Sequence, residues 1–104
     1  MIIIDKRGAK HDATFGKLVQ LDGHEVTRIT QTDSVATLHG FALPPVLQGV
    51  GIGSALLKTI EQQLHRAHVI TVKAVIPFED CPIHAHFWTQ HGYRQHKNVF
   101  TKQL

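Results

Sequence analysis

The sequence has 104 residues, 42% of them hydrophobic and 18% charged, an ordinary globular composition that excludes disorder, collagen and a coiled coil. A chain of this length makes one domain, residues 1–104, with one modest core and no room for large inserted lids. Eleven Lys and Arg against eight Asp and Glu leave a net charge of +3. That suits an anionic ligand and is too weak to imply nucleic acid.

A single cysteine, Cys81, excludes an internal disulfide and a Cys-x-x-Cys zinc site. It fits a reducing, cytoplasmic setting. The apolar run at the start, Ile2 to Ile4, is too short for a signal peptide or a membrane span, so no membrane partner is expected.

In chain order, Ile2 to Ile4 predicts a short strand, and Asp5 to Asp12 a polar connection. Ala13 to Leu21 is rich in strand formers and stops at Asp22-Gly23, a strong hairpin signal. His24 to Gln31 alternates as a half-buried strand does. Thr32-Asp33-Ser34 turns the chain into a third, more apolar strand, Val35 to Leu43, which Pro44-Pro45 ends because proline has no ladder donor. The period then changes. Ile52, Leu56, Ile60 and Leu64 recur every four residues, predicting an amphipathic helix of about four turns. Ala67 to Ile76 predicts a buried inner strand parallel to the third. Pro82 to His91 predicts a second helix with Gly92 just past its end, and Tyr93 to Lys102 a last strand. The expected fold class is α+β: a mixed, mostly antiparallel sheet with one parallel pair and two helices.

The segment Gln48-Gly49-Val50-Gly51-Ile52-Gly53-Ser54 carries the chemistry. Alternate glycines between a strand and a helix let backbone approach a ligand closely. The helix start adds unpaired N–H groups and partial positive charge, which makes an anion site suited to phosphate. The spacing is not the Gly-x-Gly-x-x-Gly of a dinucleotide site, and Ser54-Ala55 stands where a P-loop needs Lys-Ser/Thr. Such a loop is better equipped to hold a diphosphate than to cleave it. The plain alternative is a tight strand-to-helix turn.

Gln48-x-x-Gly51-x-Gly53 resembles the acetyl-CoA motif Q/R-x-x-G-x-G/A of the GNAT superfamily of N-acetyltransferases. Phe87-Trp88-Thr-Gln-His-Gly92-Tyr93 is similar to that family's Phe-Tyr-x-x-x-Gly-Phe signature on the last helix. The resemblance covers residues 14 to 104. It implies a fold in which the strands flanking the glycine-loop helix splay around the pantetheine arm. The backbone of Phe41, Ala42 and Leu43 would pair with that arm, and the N–H groups of Gly49, Val50, Gly51, Ile52, Gly53 and Ser54 would hold the diphosphate. Acetyl-CoA is the implied co-substrate, and the implied reaction is direct attack of a primary amine on the thioester. No metal is implied.

The resemblance also shows departures. The family often places a glutamate base on the strand before the loop; here Leu38 to Leu43 has no carboxylate, and His39 stands near that place. Its ordinary pKa of ~6.5 suits base work, although it also reads as a strand histidine facing solvent. The family tyrosine that protonates the leaving thiolate is replaced by Trp88, which reads as ligand stacking or packing. Cys81, His84 or Tyr93 are the replacement acids, and Cys81 stands where the family often has an Asn touching pantetheine. Two helices usual between the first two strands are missing, with only Asp5 to Asp12 available, so the acceptor cleft is either open or completed by a second subunit in a homodimer.

The remaining features are weaker. His84 and His86 lie about 200° apart on a helix and cannot share an ion. Lys6, Arg7, Lys10 and Lys17 form a basic group that reads as a solvated face or a site for the nucleotide 3′-phosphate. Without aromatic interleaving they do not suggest nucleic acid. An acyl-CoA-binding module without catalysis and a plain interaction domain are the competing functional readings.

Overall fold

The computed structural model describes all 104 residues. The strands are β1 (Ile2–Ile4), β2 (Lys10–Thr14), β3 (Leu18–Leu21), β4 (His24–Thr32), β5 (Val35–His39), β6 (Thr71–Val75), β7 (Arg94–His96) and β8 (Val99–Gln103). The helices are α1 (Ile52–Arg66), between β5 and β6, and α2 (Cys81–Gln90), between β6 and β7. One sheet runs in the order β1-β2-β3-β4-β5-β6-β8-β7. Only β5 and β6 are parallel, in the register Ala36↔Val72 and Leu38↔Ala74; every other pair is antiparallel.

Both helices pack on one face of this sheet. Ala36, Leu38, Val72, Ala74 and Phe100 alternate with more exposed neighbours and share one core with Leu56, Ile60 and Trp88 from the helices. Trp88 is fully enclosed, edge-on to Phe41, Phe87, Tyr93 and Phe100 at centroid distances of 5.4, 5.2, 4.9 and 6.0 Å. It ties α2 to β8 and to the segment after β5. Tyr93 Oη donates to Glu61 at 2.7 Å, and Lys102 Nζ reaches the same carboxylate at 3.0 Å, which fastens α1 to the β7–β8 end.

The α+β class, the single parallel pair and the helix periodicity stand as expected from the sequence. Five boundaries differ, each for a local reason. The third strand stops at His39, short of Leu43, because Gly40 turns left-handed at φ 74°. Ala13 to Leu21 is two strands, broken by a turn at Phe15–Lys17 around Gly16. The second of these strands forms the expected hairpin with β4, through Asp22 and Gly23 at φ 50° and 81°. The polar stretch contains most of β2, because His11 points inward although it is polar. Ala67 to Val69 closes α1: His68 adopts φ 66°, and Val69 N–H and His68 N–H return to the carbonyls of Leu64 and His65, the two bonds of a left-handed helix stop. The last strand is a hairpin, turned at Lys97 with φ 55°. Asp5 to Ala9 is the β1–β2 turn and Phe15–Lys17 the β2–β3 connection, and neither holds a helix.

That turn is built on buried charge. Asp5 accepts the N–H groups of Arg7 and Ala9 at 2.8 and 3.1 Å, the Arg7 guanidinium at 2.9 Å and His11 Nε2 at 2.9 Å. The other ring nitrogen of His11 lies 2.7 Å from Asp22, whose second oxygen accepts Asp12 N–H at 2.8 Å. Ionised carboxylates only accept, so His11 donates from both nitrogens as an imidazolium. The hydrogen bonds to Asp22 and Asp5 raise its pKa above the ordinary 6.5. Arg7 and His11 hold Asp5 well below the usual carboxylate range, and His11 lowers Asp22.

These shifts fix the sign of a pH dependence. The His11 contribution is complete below pH 6.5 and is lost as pH rises through its elevated pKa. The Asp5 and Asp22 contributions are complete above pH 3.8 and are lost as pH falls through their depressed values. Urea unfolding at a series of pH values should show stability falling on the alkaline side, and His11→Gln should flatten that limb. An unchanged alkaline slope in the variant would show that His11 is not the group responsible.

Candidate functional site

The site starts where the parallel pair stops. Gly40, at φ 74°, still donates its N–H to the Val75 carbonyl at 2.9 Å. Its own carbonyl accepts Thr27 Oγ1 at 2.7 Å. Thr27 reaches it because the β3–β4 register slips beside Val19, so that consecutive residues Val26 and Thr27 are both buried, the signature of a bulge with two residues opposite one. Beyond Gly40, Ala42 N–H donates to Val26 at 2.9 Å, toward β4. Backbone direction alternates along such a segment, so Phe41 and Leu43 turn their N–H groups to the other side, where neither has a protein partner. On the facing strand Ile76 N–H goes to Asn98 and Pro77 has none to give. The β5–β6 pair thus opens into a gap edged by free main-chain groups.

At one end of this gap lies the glycine loop. After one 3₁₀ turn at Pro45–Leu47, Gly49 and Gly51 take φ 76° and 79°, and Gly51 is the left-handed N-cap residue just before α1. No side chain caps this helix and its first turn carries no acid. Gln48 Nε2 donates to the Leu43 carbonyl at 2.9 Å, holding the loop against the tail of β5. Ser54 Oγ lies 2.9 Å from His91 Nε2. Partial burial lowers the His91 pKa and favours its neutral form.

Together these segments line a groove of about 450 Å³. Among the residues expected from the sequence, Phe41, Leu43, Gln48, Gly49, Gly51, Gly53, Ser54 and His84 line it. The other expected residues do not. Ala42 spends its N–H on Val26, whereas Val50 and Ile52, whose expected role is through main-chain N–H groups, lie outside the lining, Ile52 with its side chain buried in the core. Trp88 packs beneath the groove instead of stacking on its contents. Cys81 is buried, its Sγ 3.4 and 3.7 Å from the Pro77 and Ile76 carbonyls. Tyr93 is engaged by Glu61, and burial with that carboxylate pushes its pKa far above the usual phenol range, which removes it as an acid. His39 stands exposed at the end of β5, with Nε2 2.8 Å from Thr30 Oγ1. It is two residues from Phe41 but outside the groove lining. No group of three or more His, Cys, Asp or Glu side chains is arranged to hold a metal, and no helix is long and apolar enough to cross a membrane.

Leu47, Ile83, Phe87 and Lys6 also line the groove. Phe87 could have been added from the last-helix signature that already named Trp88. Lys6 carries no signal of position in the sequence, since only the β1–β2 turn brings it across to the glycine loop.

Comparison with solved structures places this architecture in a known class. PaiA N-acetyltransferase from Thermoplasma acidophilum, determined in complex with coenzyme A, superimposes with a TM-score of 0.66 at 15% identity over 84% of this chain and 58% of its own. Ard1 from Thermoplasma volcanium gives 0.63 at 16% identity over 84% and 68%. A Desulfovibrio desulfuricans protein assigned to the GNAT family of acetyltransferases gives 0.63 at 15% identity over 83% and 65%. The chain thus spans between just over half and about two thirds of these proteins' lengths. No family profile and no curated protein matches the sequence. The chain has the GNAT acyltransferase fold.

The loop geometry separates two glycines. A Cβ on Gly49 would meet nothing within 4 Å, whereas one on Gly51 would lie 2.6 Å from Lys6 Cγ. Gly49→Ala should cost only the left-handed penalty of about 1–2 kcal/mol. Gly51→Ala should cost that and also dislodge Lys6. Urea unfolding midpoints should therefore fall further for Gly51→Ala; equal midpoints would contradict the contact.

Proposed function

We propose that the chain is a short GNAT-family N-acetyltransferase, one domain over residues 1–104, that moves an acetyl group from acetyl-CoA to a primary amine of a small molecule or a protein. The observation that carries this reading is the alignment, in one groove, of the free main-chain edge at Phe41 and Leu43 with the uncapped, glycine-lined start of α1. Amide-bearing pantetheine needs the first, and a diphosphate needs the second. The coenzyme A bound to the PaiA neighbour supports the same assignment.

In this mechanism the protein contributes placement and proton handling. Phe41 and Leu43 fix the arm as an added strand, and Gly49, Gly51, Gly53 and Ser54 hold the phosphates through main-chain N–H groups. An amine is mostly protonated at neutral pH, so attack requires a base. His39 takes that role, with Thr30 orienting its ring. His84, in the groove wall, is the remaining acid for the departing thiolate. A cytoplasmic setting fits the single free thiol, and a second subunit is the means by which the open acceptor side would be closed.

A second reading is supported by two features. No Asp or Glu lines the groove, and Trp88 replaces an acid with an enclosed indole. Both suit a module that binds acyl-CoA without turnover.

Acetyl-CoA at 100 times its Kd should stabilise the protein by ~2.7 kcal/mol, visible as a rise in melting temperature. Thiol release from acetyl-CoA in the presence of an amine panel distinguishes transfer from binding alone. His39→Ala should slow turnover by at least ~100-fold while leaving coenzyme binding unchanged. Full activity in that variant removes His39 as the base. A melting shift without thiol release under any amine favours the binding module.

A further inference from the structure

Lys6 enters the groove by a route unrelated to the glycine motif. Its N–H donates to the Val50 carbonyl at 2.8 Å, joining the β1–β2 turn to the loop. Its side chain then runs over Gly51: the Cγ, Cε and Cδ atoms lie 2.6, 2.9 and 3.0 Å from the position of an added Cβ. The methylene stem fills the space that the missing glycine side chain leaves. Gly51 is thus demanded twice, by its φ and by this crossing.

Lys6 is exposed to solvent, and its charge has no partner within the protein. Lys6 makes no ion pair and its ammonium no hydrogen bond, whereas its neighbour Arg7 is bound to Asp5. The nearest helix end offers unpaired N–H groups, no acidic residue and no capping side chain. A cation beside the positive end of a helix is repulsive unless an anion joins them. The turn that carries Lys6 is also fixed in advance, because Asp5 at its base is gripped by Arg7, Ala9 and His11. Such preorganisation reduces the ordering cost of binding.

We infer that Lys6 is a diphosphate-binding residue, delivered by the β1–β2 turn, which makes the groove select phosphorylated carriers over bare pantetheine thioesters. This rests on the acyl-CoA reading above. The main-chain cradle supplies shape and neutral donors; Lys6 supplies the one full positive charge at the loop.

Calorimetric titration of wild type, Lys6→Ala and Lys6→Arg with coenzyme A, dephospho-coenzyme A, pantetheine and inorganic pyrophosphate tests it. Lys6→Ala should weaken coenzyme A and dephospho-coenzyme A alike by ~10-fold or more, as loss of a charged hydrogen bond does, and leave pantetheine unchanged. Lys6→Arg should keep most of the affinity. Equal affinities in wild type and Lys6→Ala overturn the inference and leave the acyl-CoA reading standing. A loss seen with coenzyme A but absent with dephospho-coenzyme A overturns it too, since Lys6 then serves the 3′-phosphate. If wild type binds pyrophosphate in a Lys6-dependent way but no coenzyme, the acyl-CoA reading falls and the Lys6 assignment survives. Binding of neither overturns both.

Discussion

The structure depends on one interruption: the parallel β5–β6 pair must end at Gly40 and Val75. Unpaired main-chain groups within a fold are costly, so strands that could continue to pair normally do. Here three local features prevent it. Gly40 turns left-handed, Thr27 holds the Gly40 carbonyl, and Val26 draws Ala42 N–H toward β4. On the facing strand, Pro77 has no donor. The bulge that buries both Val26 and Thr27 is therefore part of the site although it touches no groove atom. It pulls the tail of β5 to one side and leaves Phe41 and Leu43 as an edge in search of a strand.

The aromatic core below the gap keeps it open. Phe41 packs on Phe87 and Trp88, with centroids 5.7 and 5.4 Å away, so the tail of β5 cannot swing back toward β6 without breaking those contacts. A tyrosine in place of Trp88 would bring a titratable hydroxyl; tryptophan brings more buried area and no acid. Its Nε1 has no partner, a cost of about 1–3 kcal/mol that the surrounding ring contacts must offset. At this position the chain favours packing over proton transfer, which moves any acid role to the groove wall.

Much of this was legible in the sequence because the signals were strong and local. Asp22-Gly23, the four-residue apolar period of α1 and the alternate glycines each depend on a few neighbouring residues. The glycine-lined, uncapped start of α1 followed from them without any knowledge of the rest of the chain. What stayed hidden was tertiary. His11 reads as a polar loop residue, and only the carboxylates of Asp5 and Asp22 make it an inward-facing strand residue. Val35 to Leu43 reads as one strand, since nothing in Phe-Ala-Leu announces that its partner has turned away. Lys6 reads as one of several cations; its position depends on a turn whose geometry is set by side chains up to Asp22.

The electrostatics of the groove bear on the proposal that histidine handles the proton. The lining holds a lysine, a histidine and a helix start, and no carboxylate. A glutamate placed close to bound phosphates would be repelled by them, and its own pKa would rise. An imidazole is neutral in its basic form, so it accepts a proton beside those phosphates without prior repulsion, and once protonated it is attracted to them. His39 lies outside the groove lining, on the exposed end of β5 beside Thr30, where solvent screening weakens that attraction.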